Sequence, residues 1–128
     1  MRFGRQQDRP YDIRERAFCF AVQIVKLHQQ IETGGSTARL LAHQMLRSGT
    51  SVGANIEEAD AGHSKQDFIA KCSISLKEAR ETYFWLRLLH AADIAPAEHL
   101  QPLLDEANEL IAILTTIIKN ARRSTDKS

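Results

Sequence analysis

The chain has 128 residues, 43% of them hydrophobic and 26% charged, which suits one globular domain built on a single core. Its 17 Lys and Arg against 16 Asp and Glu leave a formal charge of +1, so no global field draws it to nucleic acid or membrane, and an electrostatic partner must be met by a local patch. Two cysteines without a C-x-x-C, no apolar run of membrane-spanning length and no signal pattern at the start predict a cytoplasmic protein.

Residues 1–10, MRFGRQQDRP, carry no helical pattern and read as a flexible basic arm. Beyond them Ile13, Ala17, Phe20, Ile24, Leu27 and Ile31 recur at spacings of four and three, the buried stripe of an amphipathic helix that Gly34 and Gly35 stop. A second stripe, Ala38, Ala42, Met45, Gly49, Val52, Ile56 and Ala59, follows an N-cap at Ser36 or Thr37 and ends at Gly62. Ser64 with Asp67 opens a third helix, in which Phe68, Cys72, Leu76, Ala79, Tyr83 and Leu86 share a face and which stops near Ala92. Pro96 suits a first helical position, and Leu103, Ala107, Leu110, Leu114, Ile117 and Ala121 form a fourth stripe that fades into a disordered polar tail at 122–128. Cys19 and Cys72 both lie in apolar periodic segments and are expected as buried structural thiols.

Four helices joined by short breaks, with no segment alternating like a strand, predict an all-α, antiparallel up-down-up-down four-helix bundle over residues 11–121. One apolar stripe per helix would suffice for a monomer. The first helix also presents Phe18, Val22 and Val25, and the third presents Ile74, Trp85 and Leu88, roughly opposite their main stripes. These second stripes imply self-association and mark candidate subunit-interface positions.

The stretch RSGTSVGANIEEADAG, residues 47–62, places glycines inside the second helix. A glycine in a helix interior costs about 1 kcal/mol relative to alanine, so Gly49 and Gly53 together cost roughly 2 and should be offset by the close approach of another backbone, which adds both to the candidate interface. Gln44, Arg47, Ser48, Ser51, Asn55 and Glu58 fall in one sector of the same helix. Ser and Asn are poor helix formers, so this short-chained sector reads as a polar seam against another helix or another subunit. The third helix supplies counterparts at Ser75, Glu78, Glu81 and Thr82, and a sheltered Glu78 or Glu81 would need a cation, with Arg47 and Arg80 in reach.

The run Q-x-x-R-S-x-x-S-x-x-x-N-I-x-E, carried by Gln44, Arg47, Ser48, Ser51, Asn55, Ile56 and Glu58, resembles the signature of the 23S rRNA intervening-sequence protein family, also called S23-like. EARETYFWLRLL, residues 78–89, resembles the third helix of that family, and the likeness spans approximately residues 11–121. The resemblance implies a small up-down bundle that assembles into a homopentameric ring. It also implies kinship with the accessory variability proteins of retroelements, which contact a reverse transcriptase and nucleic acid through basic surface. The chain departs from the pattern at Ala59, where the family commonly has Gly, which implies a slightly longer second helix here.

No catalytic pattern sits in the context its chemistry needs. A ferritin-like metal centre needs Glu-x-x-His on two helices, and the nearest approach is Asp60-x-x-His63 beside Gly62. His28, His43, His90 and His99 are scattered, no phosphate-binding glycine loop occurs, and the one G-x-S-x-G string, Gly49 to Gly53, lies inside the second helical stripe and not at the strand-to-helix turn that a nucleophile elbow needs. The expectation is therefore a protein with no catalytic residues, metal or cofactor: an oligomeric scaffold that engages RNA, DNA or a nucleic-acid enzyme, but no membrane. Arg2, Arg5, Arg9, Arg14, Arg16 and Lys26 are the candidate phosphate contacts, offset by Asp8, Asp12 and Glu15. Such binding would be led by phosphate and largely independent of sequence. The alternative is a purely structural or protein–protein interaction module without nucleic-acid affinity.

Overall fold

A computed structural model of the chain describes residues 12–62 and 64–127. It contains four helices, α1 (Asp12–Ile31), α2 (Ser36–Asp60), α3 (Lys65–Ala91) and α4 (Ala97–Lys127), packed sequentially antiparallel. Each helix packs on the next in the chain, and α1 closes on α4 through the sparsest of the four seams. The expected arm at residues 1–10 lies outside the described residues, as do His63 and Ser128.

The stripes read from periodicity form the core. All six positions of the first stripe are buried, as are Ala42, Met45, Gly49, Val52, Ile56 and Ala59 of the second. Leu89, Leu100, Leu104 and Ile118 join them from positions flanking the predicted stripes, because the buried face of a packed helix is wider than a single row. Cys72 is buried but Cys19 is exposed, contrary to expectation: it sits on the flank of α1 facing the loosely closed α4 side, where apolar neighbours do not exclude solvent.

The ends of the helices follow local chemistry. Ser64 caps α3, its hydroxyl accepting from Asp67 N–H at 3.1 Å, as the Ser-x-x-Asp spacing predicts. The N-cap of α2 is Gly35 and not Ser36 or Thr37; its extended backbone permits the turn without a side-chain bond. Pro96 precedes α4, its carbonyl accepting from His99 and Leu100, and the first helical residue is Ala97. Pro102 lies inside α4, where its ring removes the N–H that would have met the Glu98 carbonyl. The C-terminus of α4 differs from the sequence expectation, because the helix runs on through Arg122, Arg123 and Ser124 to Lys127. Cations suit the negative end of the helix dipole, and Lys65 Nζ on α3 donates to Ser124 Oγ at 3.1 Å.

Between α3 and α4 the chain reverses through a tight cap. Asp93 takes φ 58°, its N–H meeting the His90 carbonyl at 3.1 Å, while Ile94 N–H reaches back to Leu89 at 3.0 Å. This is the paired bonding of a Schellman motif with aspartate in the place glycine usually holds.

Candidate functional site

The glycines of α2 are consumed within the chain. A methyl group at Gly49 would stand 2.9 Å from two side-chain carbons of Ile24, and one at Gly53 would stand 3.3 Å from the backbone oxygen of Ala17. The close approach expected from their spacing is therefore made by α1 of the same chain. The loss of helix propensity is offset by α1 and α2 packing nearly backbone to backbone.

The polar sector of α2 faces α3 for part of its length. Ser48, Ser75 and Thr82 are fully buried between the two helices. Ser75 donates to the Val52 carbonyl at 2.7 Å, and Thr82 Oγ1 lies 2.8 Å from Ser48 Oγ and 2.7 Å from the Glu78 carbonyl oxygen. Above this layer Arg47 pairs with Glu81, its Nη1 stands 3.6 Å from Glu78 Oε1, and its Nη2 stands 3.4 Å from Gln44 Oε1. Trp85 Nε1 donates to the same Glu81 carboxylate at 3.1 Å. Glu78 has a side chain only 13% exposed, and its Oε1 accepts no hydrogen bond. Of the two cations in reach by sequence, Arg47 meets the carboxylates and Arg80 turns away to the α4 side.

Other seam positions serve α2 itself. Ser51 donates to the Arg47 carbonyl at 2.7 Å, Asn55 donates to the Ser51 carbonyl at 2.9 Å, and Glu58 is exposed. The seam is thus Gln44, Arg47 and Ser48 against Ser75, Glu78, Glu81, Thr82 and Trp85, with Ser51 and Asn55 bonded back to their own turn. It orients α2 on α3, and it brings together no nucleophile with a base.

The candidate phosphate contacts divide three ways. Arg2, Arg5 and Arg9 lie outside the described residues. Arg14 pairs with Glu57 at 3.0 Å and Asp60 at 3.1 Å, and the Glu57 hydrogen bond raises its pKa. Arg16 grips Glu106 across α1 and α4 with two bonds of 2.9 and 2.7 Å. Lys26 is exposed beside the 530 Å³ cleft between α1 and α4, which is lined by both charge signs. Cys19 on the same cleft donates to Glu15 at 3.7 Å; partial desolvation, then that carboxylate, pushes its thiol pKa up.

A second cleft escaped the sequence reading. Between α3 and α4 runs a groove of about 640 Å³ lined by Lys77, Arg80, Lys119, Arg122 and Arg123, with Ser73 and Thr115 on its walls and Leu76 and Ile118 on its floor. No carboxylate lines it, and none of its five cations belongs to an ion pair among the described residues. The signal was present in the spacing of Lys77, Arg80 and Arg87 and of Lys119, Arg122 and Arg123, but only the antiparallel register of the two helices makes it one surface.

The second apolar stripes are covered only in part. Phe18 is 62% exposed and Val25 38%, with Val22 half-buried between them; Ile74 is exposed on α3, beside half-buried Trp85 and Leu88. Among the described residues no three His, Cys, Asp or Glu side chains converge as metal ligands, and no helix is long and apolar enough to cross a membrane.

Fold and site define a small, sequentially antiparallel four-helix protein with a buried hydroxyl seam, a basic groove and no cluster of metal ligands among the described residues. Residues 9–116 match the family described as 23S rRNA-intervening sequence protein, and the chain belongs to that family. A solved structure from Bacteroides thetaiotaomicron, a protein with unknown function from the S23 ribosomal protein family, is 37% identical to it. The likeness covers 84% of this chain and 98% of that one, with a TM-score of 0.77. No curated protein matches the chain.

Proposed function

We propose that the chain is a non-enzymatic scaffold that self-associates, as the homopentameric ring that the family resemblance implies, and presents basic surface to RNA or DNA. The observation that carries the reading is the uncovered row on α1. The bundle completes its core without Phe18, Val22 and Val25, yet these side chains line the outside of one helix at spacings of four and three. A contiguous apolar face of this kind is costly in water and suits a neighbouring subunit. Repetition of the α3/α4 groove around an oligomer would turn one local patch into a multivalent surface, so an overall charge of +1 does not oppose binding.

Light scattering after size separation tests the assembly. The expected mass is a small multiple of the single chain, shifted down by combined Phe18→Ser and Val25→Ser with helical content unchanged. A single-chain mass across a wide concentration range would remove the scaffold reading. Titration of labelled RNA and DNA at two salt concentrations tests the partner. The use of Arg14 and Arg16 in ion pairs within the chain favours the alternative, a protein–protein interaction module, and absence of binding at low salt would select it.

A further inference from the structure

We infer that the groove between α3 and α4 is a site for the sugar–phosphate backbone of a single-stranded nucleic acid, with Phe84 as a stacking surface for a base. This deepens the nucleic-acid part of the function proposed above and rests on it.

The charge of the groove comes from how two helices sort their ions. On α3, Ser73, Lys77, Arg80, Phe84 and Arg87 succeed one another at spacings of four and three and so share a face. The acids of the same stretch, Glu78 and Glu81, lie toward α2, where Arg47 engages both. On α4 four of the five acids, Glu98, Asp105, Glu106 and Glu109, occupy the first half of the helix, while Lys119, Arg122 and Arg123 follow in the second with Asp126 after them. Antiparallel packing sets that second half beside Lys77 and Arg80. A nearly neutral chain thereby holds five cations around one recess without a carboxylate.

The residue types match a phosphate backbone. Three of the five are arginines, whose planar forks take two phosphate oxygens at once. Positions three or four apart stand about 4.5–6 Å from one another along a helix, so each wall offers a ladder of contacts and not a single point. Phe84, 49% exposed, lies one turn beyond Arg80 on the same face and is held edge-on by Trp85, with ring centroids 5.1 Å apart. A basic track with a braced, solvent-facing aromatic beside it is the arrangement that binds single strands without reading sequence.

The exposed ring selects the strand form. A single strand can lay an unpaired base on Phe84 while its phosphates follow the cations, whereas a duplex keeps its bases stacked inside and offers the groove phosphate alone.

The test uses the full chain and fluorescently labelled homopolymers, an oligo-uridine and an oligo-thymidine, with a mixed-sequence duplex of equal length. Arg80→Gln with Arg122→Gln is expected to weaken single-strand binding ~10-fold or more at low salt and to flatten the salt dependence by about 1.4 in slope, two phosphate contacts' worth. Arg39→Gln with Lys71→Gln, cations that line no part of the groove, should change it less than ~2-fold. Phe84→Ala should cost the single strand ~5-fold or more and leave the salt slope alone. Circular dichroism checks that every variant is folded. If the wild-type chain binds but the groove pair matters no more than the control pair, this site is wrong and the broader reading survives. If the duplex binds as tightly as the strands, or Phe84→Ala is silent, the single-strand assignment is overturned. If the wild-type chain binds none of the probes at low salt, both the site and the nucleic-acid reading fall together.

Discussion

Thr82 and Ser48 meet hydroxyl to hydroxyl, 2.8 Å apart, with both side chains fully buried between α2 and α3. Each hydroxyl has one proton. Thr82 Oγ1 is placed to donate to the Glu78 carbonyl or to Ser48 Oγ, and Ser48 has the Met45 carbonyl at 3.4 Å as an acceptor of its own, in a place water does not reach. Thr82→Val should then cost about 1–2 kcal/mol, because it leaves Ser48 only its long bond to the Met45 carbonyl, and Ser48→Ala should cost a similar amount. The double variant should cost less than the sum, since the shared hydroxyl–hydroxyl bond is lost only once. Urea denaturation of the four chains gives the coupling, and strict additivity would show that the two hydroxyls do not depend on each other.

Gly49 makes a sharper claim about α1 and α2. Alanine there gains about 1 kcal/mol of helix propensity, but its methyl would come within 2.9 Å of buried Ile24. Overpacking of a close-packed core costs about 1–3 kcal/mol, so the substitution should destabilise. In an Ile24→Ala background the clash is gone, and Gly49→Ala should turn neutral or stabilising. A denaturation midpoint raised by Gly49→Ala in the wild-type background would mean that the contact is not tight.

The sequence made the helices and their main buried rows legible, because a spacing of three and four is a direct consequence of 3.6 residues per turn. Ile13 through Ile31 on α1 needed nothing more. What periodicity does not carry is which neighbour each flank meets. Cys19 belongs to an apolar run, yet its flank borders the open α1–α4 seam. Gly49 and Gly53 declare a close approach without saying whose backbone approaches, and α1 proves to be the partner. Glu78 and Glu81 were legible as carboxylates in need of a cation with Arg47 and Arg80 both in reach, and only the packing selects Arg47. The basic groove was not, because Arg80 and Arg122 are far apart in the chain and only the packing of α3 on α4 joins them.

Cys72 should leave a mark on alkaline stability. Burial pushes its thiol from an ordinary 9.0 to about 11 in the folded chain. The folded state therefore keeps the proton that the unfolded state releases as pH climbs past 9. The sign follows: this contribution is intact below pH 9 and is lost as pH rises through 11, at most about 3 kcal/mol for a two-unit difference. In a Cys19→Ser background, Cys72→Ala should flatten the fall in unfolding free energy between pH 9 and 11, whatever its cost at neutral pH. Parallel slopes with and without the thiol would contradict a buried, protonated Cys72.

Asp93 offers the reverse case, a substitution expected to help. Its φ of 58° lies in the left-handed region, where a side chain crowds the following carbonyl and glycine does not. Aspartate tolerates the position better than most residues, and glycine gives some of the gain back through a freer unfolded chain, so Asp93→Gly should stabilise by only about 0.5 kcal/mol. Asp93→Val should destabilise by more than about 1 kcal/mol, since a branched β-carbon is strongly disfavoured there. The two bonds of the turn, Asp93 N–H to His90 and Ile94 N–H to Leu89, are made by backbone and survive both changes. Thermal unfolding should place the glycine variant a degree or two above wild type and the valine variant several degrees below; the opposite order would mean that α3 does not end in this left-handed turn.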